Sequence, residues 1–298
     1  MQWIRTHKSN PVEQNLYRTA LIVTISGNVL LLVSKGFASY LSGSVALFAD
    51  AANSASDVLY SLFMILGLWM ALSPPDLGHP QGHSRFEPLV GLMITASMTY
   101  AGYSAASASI ERFLMGGSVI DIGLPIYVLL GAALMKAGMF VWISRIAKKI
   151  HSPTLGTTAA DNLSDVLTST AAFIGILGTR FIHPLADPIA GILVAAWIFK
   201  AAFNAARENL GFLTGAGASA ELREQLVIAA ESIPGVIRVH HAITEYIGPR
   251  LMVDLHVNVD GNMPLNQVHT ISDLVIERLE EFPEVDRAYV HIEPDDWI

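Results

Sequence analysis

Residues 49–57, "ADAANSASD", run directly into residues 58–72, "VLYSLFMILGLWMAL", an apolar stretch without a charge. Together they read as one membrane-length helix with Asp50, Asn53 and Asp57 set inside it. Asn53 and Asp57 are spaced i, i+4, so they stack on one helix face. A second apolar segment opens with residues 157–173, "TTAADNLSDVLTSTAAF", where Asp161 and Asp165 repeat that spacing. Ionisable residues inside spans are functional candidates by default. The plainer reading is interhelical hydrogen bonding, or a wet helix end for Asp50, Asp57 and Asp161. Three carboxylates with no basic neighbour in sequence repel one another, however, and a cation resolves that repulsion. Lys35 and Lys136 are the alternative source of neutralising charge. As lone membrane lysines they are expected to snorkel or pair locally.

The rest of the chain supports the membrane reading. Its 298 residues are 52% hydrophobic and only 15% charged, with mean hydropathy +0.46, against about 25% charged residues in soluble domains. Six apolar stretches, approximately 16–38, 44–72, 86–113, 119–148, 155–180 and 186–211, are each longer than the roughly 20 residues that span a bilayer core. After Phe212 the character changes. Residues 217–298 hold 5 Arg, no Lys and 15 acidic groups, a net charge of −10, whereas the first 216 residues carry a net +2. Two domains follow, a six-helix membrane part over 1–212 and an acidic α/β domain over 213–298. No short apolar stretch is followed by a small-residue cleavage site, which argues against a removable signal peptide. With no Cys, disulfides and thiolate metal sites are excluded.

Basic residues set the orientation. Arg5, Lys8 and Arg18 precede the first span, Arg85 lies between the second and third, and Arg145, Lys148 and Lys149 lie between the fourth and fifth. The opposite connections, 39–43, 114–121 and 181–186, contain no Lys or Arg. The positive-inside rule then places both termini in the cytoplasm, the expected setting being a bacterial inner (cell) membrane.

In the acidic domain, residues 219–232 form an amphipathic helix with Ser219 as N-cap. Residues 235–247 and 250–260 are strands broken by Gly248-Pro249. Residues 264–282 form a helix with Val268, Ile271, Val275 and Leu279 at core spacing, and 286–294 a last strand. On the second strand Val253, Leu255, Val257 and Val259 share one face, and Met252, Asp254, His256 and Asn258 the other. Five of the ten His lie here, His240, His241, His256, His269 and His291, and His291 shares a strand face with Glu293. Imidazole and carboxylate from neighbouring strands make a divalent-metal site; a solvated acidic surface is the equal alternative.

The two helical pairs offer oxygen donors only. Such donors suit hard cations, whereas Zn²⁺ recruits His or Cys. Mg²⁺ keeps several waters and fits a four-ligand cage poorly. On donor chemistry Mn²⁺ leads, Fe²⁺ follows and Zn²⁺ trails.

The motifs "SGSVALFADAANSASDV", "PPDLGHPQGHSRFE", "DNLSDVLTS" and "PLADPIAGILVA", in this order, resemble the cation diffusion facilitator (cation efflux, ZnT-like) family over almost the whole chain. The resemblance implies an α-helical membrane protein, a six-transmembrane-helix bundle plus a C-terminal α/β ferredoxin-like (metallochaperone-like) cytoplasmic domain, assembled as a homodimer. It implies a secondary active transporter, not an enzyme, that exports divalent metal in exchange for protons, with no organic cofactor and no nucleic-acid partner. By position, the transport site is Asn53, Asp57, Asp161 and Asp165. Zinc-selective members carry His at one or both leading positions, so the Asn-Asp-Asp-Asp set resembles the manganese exporters. Fe²⁺, or Zn²⁺ and Co²⁺, are the alternative cargoes. Asp50 is a secondary polar or proton-linked candidate. Asp76, His79 and His83 match a second site in the loop between the second and third spans. His240, His256, His269 and His291 match a binuclear site in the C-terminal domain, with Glu293 where a bridging Asp is found, and this site could take Zn²⁺. His241, His151 and His183 receive no role.

Two other classes compete. An intramembrane metal-dependent hydrolase also places carboxylates in spans, but the chain has no His-Glu-x-x-His and no Gly-x-Ser-x-Gly. A passive channel or a non-transporting sensor is separated from an antiporter by its response to an imposed pH gradient.

Overall fold

The computed structural model describes residues 11–42, 45–116 and 124–295; the side chains of Asp50 and Asn53, and all of Arg5 and Lys8, lie outside the described residues. The chain divides into two compact units, Met1–Asn209 and Leu210–Ile298.

Six long helices make up the first region: α1 (Pro11–Ser42), α2 (Val45–Ala71), α3 (Phe86–Leu114), α4 (Leu124–Ile150), α5 (Pro153–Phe181) and α6 (Ala186–Leu213). The expected six spans are thus six helices, but not six equally apolar ones. Among the described residues, stretches of α1, α2, α4 and α6 are long and apolar enough to cross a membrane. α3 and α5 match them in length and fall short in composition. α3 carries Glu87, Glu111 and Arg112, and α5 carries two aspartates, Arg180 and a row of Thr and Ser. The reason lies in their position. Thr154, Thr157, Thr158, Asn162 and Ser164 of α5 are all buried, so this helix turns its polar face to protein. Ser152 caps α5, its Oγ accepting from the Leu155 N–H at 3.2 Å, and Pro153 begins the helix where no N–H is needed.

The helices adjoin in a closed order, α1 against α2, α2 against α3, α3 against α5, α5 against α4 and α4 against α1. Five helices therefore form a ring in which α2 and α5 both flank α3. α6 lies against α3 and α5, where Asn209 Nδ2 donates to Thr157 Oγ1 at 2.8 Å and Arg112 pairs with Asp187 at 3.1 Å. One knot ties three ring members. Glu87, only 3% exposed, accepts from Tyr17 Oη of α1 at 2.9 Å and from Ser152 Oγ, while its backbone carbonyl accepts from Thr154 Oγ1 of α5 at 2.5 Å.

The second unit contains α7 (Ala220–Glu231), β1 (Arg238–Ile247), β2 (Arg250–Val259), α8 (Leu265–Glu280) and β3 (Val285–Pro294). The sheet order is β1-β2-β3, antiparallel between β1 and β2 and parallel between β2 and β3, with α8 as the crossover a parallel pair requires. This is the expected α/β ferredoxin-like arrangement. Ser219 Oγ accepts from the Leu222 N–H at 3.2 Å as the predicted N-cap. Gly248 takes φ 61° in the β1–β2 turn, a conformation that favours glycine. Leu251, Val253, Leu255 and Val257 are fully buried, packed with Ile271, Val275 and Leu279 of α8.

Small residues allow the ring helices to approach. A Cβ on Gly67 of α2 would lie 1.9 Å from Val90 Cγ2 of α3, whereas one on Gly36 of α1 would meet nothing within 4 Å. Gly67→Ala is therefore expected to destabilise the protein by about 1–3 kcal/mol through overpacking, and Gly36→Ala to be neutral or slightly stabilising. Thermal unfolding in detergent compares the two directly.

Candidate metal-binding sites

Inside the ring, Asp57 and Asp165 reach a common point, and a lysine holds them there. Lys136 Nζ of α4 lies 3.0 Å from Asp57 Oδ2 and 2.7 Å from Asp165 Oδ2. The lysine side chain is 5% exposed, so it neither snorkels nor pairs within its own helix, and the sequence expectation is corrected. A carboxylate in a low-dielectric interior is stable only when paired, and the nearest available cation supplies the pairing. Lys35 is likewise buried rather than snorkelling, at 7% exposure.

Asp161 joins the group one helical turn before Asp165. With Asp57 it lines a small cavity of about 30 Å³, together with Thr24, Asn28, Ser61 and Thr158. Asn28 Nδ2 donates to Ser61 Oγ at 2.9 Å, and Ser61 Oγ donates to the Asp57 carbonyl at 2.8 Å. Asn28 Oδ1, Ser54 Oγ and Asn162 Nδ2 are buried with no hydrogen-bond partner among the described residues. α2 and α5 meet through side chains: Thr158 Oγ1 donates to Met64 Sδ at 3.4 Å, and Met64, Leu68, Leu155 and Ala159 belong to one apolar cluster beside the polar space. Three of the four expected transport ligands converge, and Asn53 sits one turn before Asp57 on α2. Lys136, one of the two lysines read from the sequence as an alternative source of neutralising charge, takes that role here; Asn28 and Ser61 carried no signal beyond being polar in a span.

The loop after α2 draws Asp76, His79 and His83 together. One ligand atom from each lies within 4.8 Å of the others. Asp76 Oδ1 accepts from the His79 N–H at 2.6 Å, and Asp76 Oδ2 is 3.4 Å from His83 Nε2. The backbone N–H of His79, assisted by the neighbouring imidazoles, holds the Asp76 carboxyl below the usual carboxylate range. The turn closes through Gly82 at φ 99°, whose N–H donates to the His79 carbonyl at 2.9 Å. His83 is stacked near Phe86, ring centroids 5.9 Å apart, which fixes one imidazole against the start of α3.

In the second unit Glu293 is the hub. Its Oε2 lies 3.0 Å from His240 Nε2, and its Oε1 lies 3.0 Å from His256 Nδ1 and 3.6 Å from His291 Nε2. Donor atoms arranged tetrahedrally around Zn²⁺ at about 2.0 Å stand roughly 3.3 Å apart, so these spacings fit a metal, and a carboxylate facing imidazoles with both oxygens is disposed to bridge two. His269 is not part of this group. It lies on α8 opposite Ile271, which faces the sheet, and its 75%-exposed side chain is 3.8 Å from Asp273. Of the five residues read from the sequence, His240, His256 and Glu293 each bring one ligand atom within 4.8 Å of the others, and His291 adjoins Glu293.

Two neighbours were not legible. A register shift between Val239 and His241 places both His240 and His241 beside His256, with ring centroids 5.6 and 5.0 Å away. An undistorted strand would point adjacent side chains to opposite faces. Asn258, fully buried, donates from Nδ2 to the Pro294 carbonyl at 2.9 Å. That fixes its Oδ1 as an acceptor, which lies 2.8 Å from His240 Nδ1. His240 must then carry a proton on Nδ1, which turns the Nε2 lone pair toward the metal position.

Two family models match the chain. Residues 21–214 match the cation efflux transmembrane domain, and residues 218–295 the cytoplasmic domain of cation efflux proteins. An uncharacterized transporter of Methanocaldococcus jannaschii is 35% identical over 92% of this chain and 96% of its own length. Two manganese efflux system proteins of Bacillus subtilis are also similar: MneS is 28% identical over 92% of this chain and 94% of its own. MneP is 26% identical over 94% of this chain and 97% of its own. The chain is a membrane protein that belongs to the cation efflux family.

Proposed function

We propose that this protein exports Mn²⁺ from the cytoplasm in exchange for protons. The observation that carries the reading is Asp57 inside the helix ring, which shares the Lys136 ammonium with Asp165 and lines a small polar cavity with Asp161. By sequence spacing Asn53, one turn before Asp57, would bring the donor set to four oxygens suited to a hard divalent ion. The manganese efflux proteins MneS and MneP, similar over nearly the whole chain, support the same cargo. Metal and protons compete for the same carboxylate oxygens, so proton binding on the outer side displaces the cargo. Alternating exposure of a fixed midplane site by rocking helices is the usual transporter solution.

Residues 1–212 form the transport domain in this reading, and 213–298 a metal-binding regulatory and dimerisation domain. The basic end of the bundle, with Arg18, Arg85, Arg145, Lys148 and Lys149, faces the cytoplasm. At the opposite end Arg112 is neutralised by Asp187. The loop triad Asp76, His79 and His83 and the cluster His240, His256, His291 and Glu293 are resident metal sites. Metal in the acidic domain offsets the repulsion between two copies that each carry a net −10.

Proteoliposome flux tests the transport reading. Wild type is expected to move Mn²⁺ faster than Zn²⁺ or Co²⁺, saturably and in response to an imposed pH gradient. Asp57→Ala is expected to abolish flux, and Asn53→His to shift preference toward Zn²⁺. Zinc flux well above manganese flux in wild type would overturn the cargo while sparing the family. For the acidic domain, Asn258→Ala is expected to weaken Zn²⁺ binding by about 10–100-fold through loss of His240 orientation, read by chelator competition on the full-length protein.

A further inference from the structure

Lys136 is the one member of the central cluster that cannot be a metal ligand while it keeps its charge. Its ammonium is nonetheless the group that touches two carboxylates at once, Asp57 from α2 and Asp165 from α5, at 3.0 and 2.7 Å. Metal–oxygen bonds of about 2.0–2.2 Å would draw a cation bridging those two Oδ2 atoms into the same gap. The ammonium and the cargo therefore exclude each other sterically. They also repel, because unit charges about 4 Å apart interact by several kcal/mol even at an effective dielectric near 20.

Resting on the manganese-carrier reading, we propose that Lys136 is a tethered competitor of the cargo: its ammonium fills the transport site when metal is absent and must be displaced for metal to bind. Cargo binding is then an exchange of one cation for another. Burial supports the assignment, because a lysine that is 5% exposed and reaches across to two other helices has no aqueous alternative at hand. The small cavity lined by Asp57, Asp161, Asn28 and Ser61 places a water-sized polar space beside the Asp57 carboxylate. The competitor lowers affinity at a site that would otherwise hold a divalent ion with three bare carboxylates. A carrier needs that, because it must release its cargo in every cycle. It also compensates the empty site, so the helix ring does not have to close around three unopposed charges.

The test is Mn²⁺ binding by chelator competition to full-length protein in nanodiscs. The parent carries His83→Ala, His240→Ala and His256→Ala, which silence the loop and acidic-domain clusters. On that parent, Lys136→Met is expected to bind Mn²⁺ at least about tenfold tighter, Lys136→Arg no tighter than the parent, and the gain to vanish when Asp57→Asn is added. Thermal unfolding supplies a second readout. Lys136→Met should unfold at lower temperature than the parent without metal and show the larger rise on adding Mn²⁺. Equal or weaker binding by Lys136→Met, with Lys136→Arg restoring the parent value, would make the lysine a positioning residue and overturn the competitor role. If Lys136→Met does not fold, Lys136→Gln, neutral but able to hydrogen-bond, is judged by the same criterion. Mn²⁺ binding in the parent that ignores Asp57→Asn would remove the carrier reading together with this one. Asp57-dependent binding left unchanged by Lys136→Met would remove this one alone.

Discussion

A carboxylate cannot stay ionised in a hydrocarbon-facing helix without a partner, and Asp57, Asp161 and Asp165 bring three of them into one helix ring. Much of the membrane unit follows from meeting that demand. Lys136 is drawn inward from α4 to bond Asp57 and Asp165. α5 gives up apolarity to turn Thr, Asn and Ser toward the interior. α1, α2, α3 and α5 all contribute polar side chains to the space beside these carboxylates. The Glu87 knot fastens α1, α3 and α5 near their N-terminal ends, compensating in hydrogen bonds for what those helices lack in apolar packing.

The two units use different donor chemistry. The ring offers oxygen, from carboxylates and amides, which binds hard cations and competes directly with protons. The acidic unit offers imidazole, arranged about Glu293 and oriented by Asn258, which favours borderline metals held in fixed geometry. A carrier has to let its ion go, whereas a resident ion has to stay. Under the proposed function, the oxygen donors suit the exchangeable ion and the oriented imidazoles the resident one.

The features legible in the sequence were those carried by a local period. The i, i+4 pairs Asn53–Asp57 and Asp161–Asp165, the alternation of Val253, Leu255 and Val257, and the Ser219 cap each depend only on residues a turn or two apart. Features that depend on tertiary placement were not legible. Lys136 meets Asp57 across 79 positions of sequence, so nothing nearby distinguished it from a lysine that snorkels. His269 shares the residue type and the domain of the other histidines, yet it lies on the exposed side of α8, and spacing along the chain does not report that. His241 became a neighbour of His256 only through a strand irregularity. Asn258 looked like one more polar residue on an alternating strand until its amide was seen to be fixed between Pro294 and His240.

The two bonds of Lys136 are unequal in what surrounds them. α4 and α5 pack along their lengths, so the lysine and Asp165 belong to one tightly joined helix pair. Asp57 belongs to α2, which packs instead on α1 and α3 and meets α5 through side chains beside the cavity. A movement that shifts α2 relative to α4 and α5 lengthens the bond to Asp57 while leaving the bond to Asp165 intact. It also widens the polar space on the side where Asp161, Asn28 and Ser61 already stand. The weaker mechanical attachment is therefore the one between the lysine and the carboxylate next to Asn53. In the proposed exchange, an ion at the cavity would meet Asp57 and Asp161, which line it, and would displace the ammonium from Asp57 before Asp165.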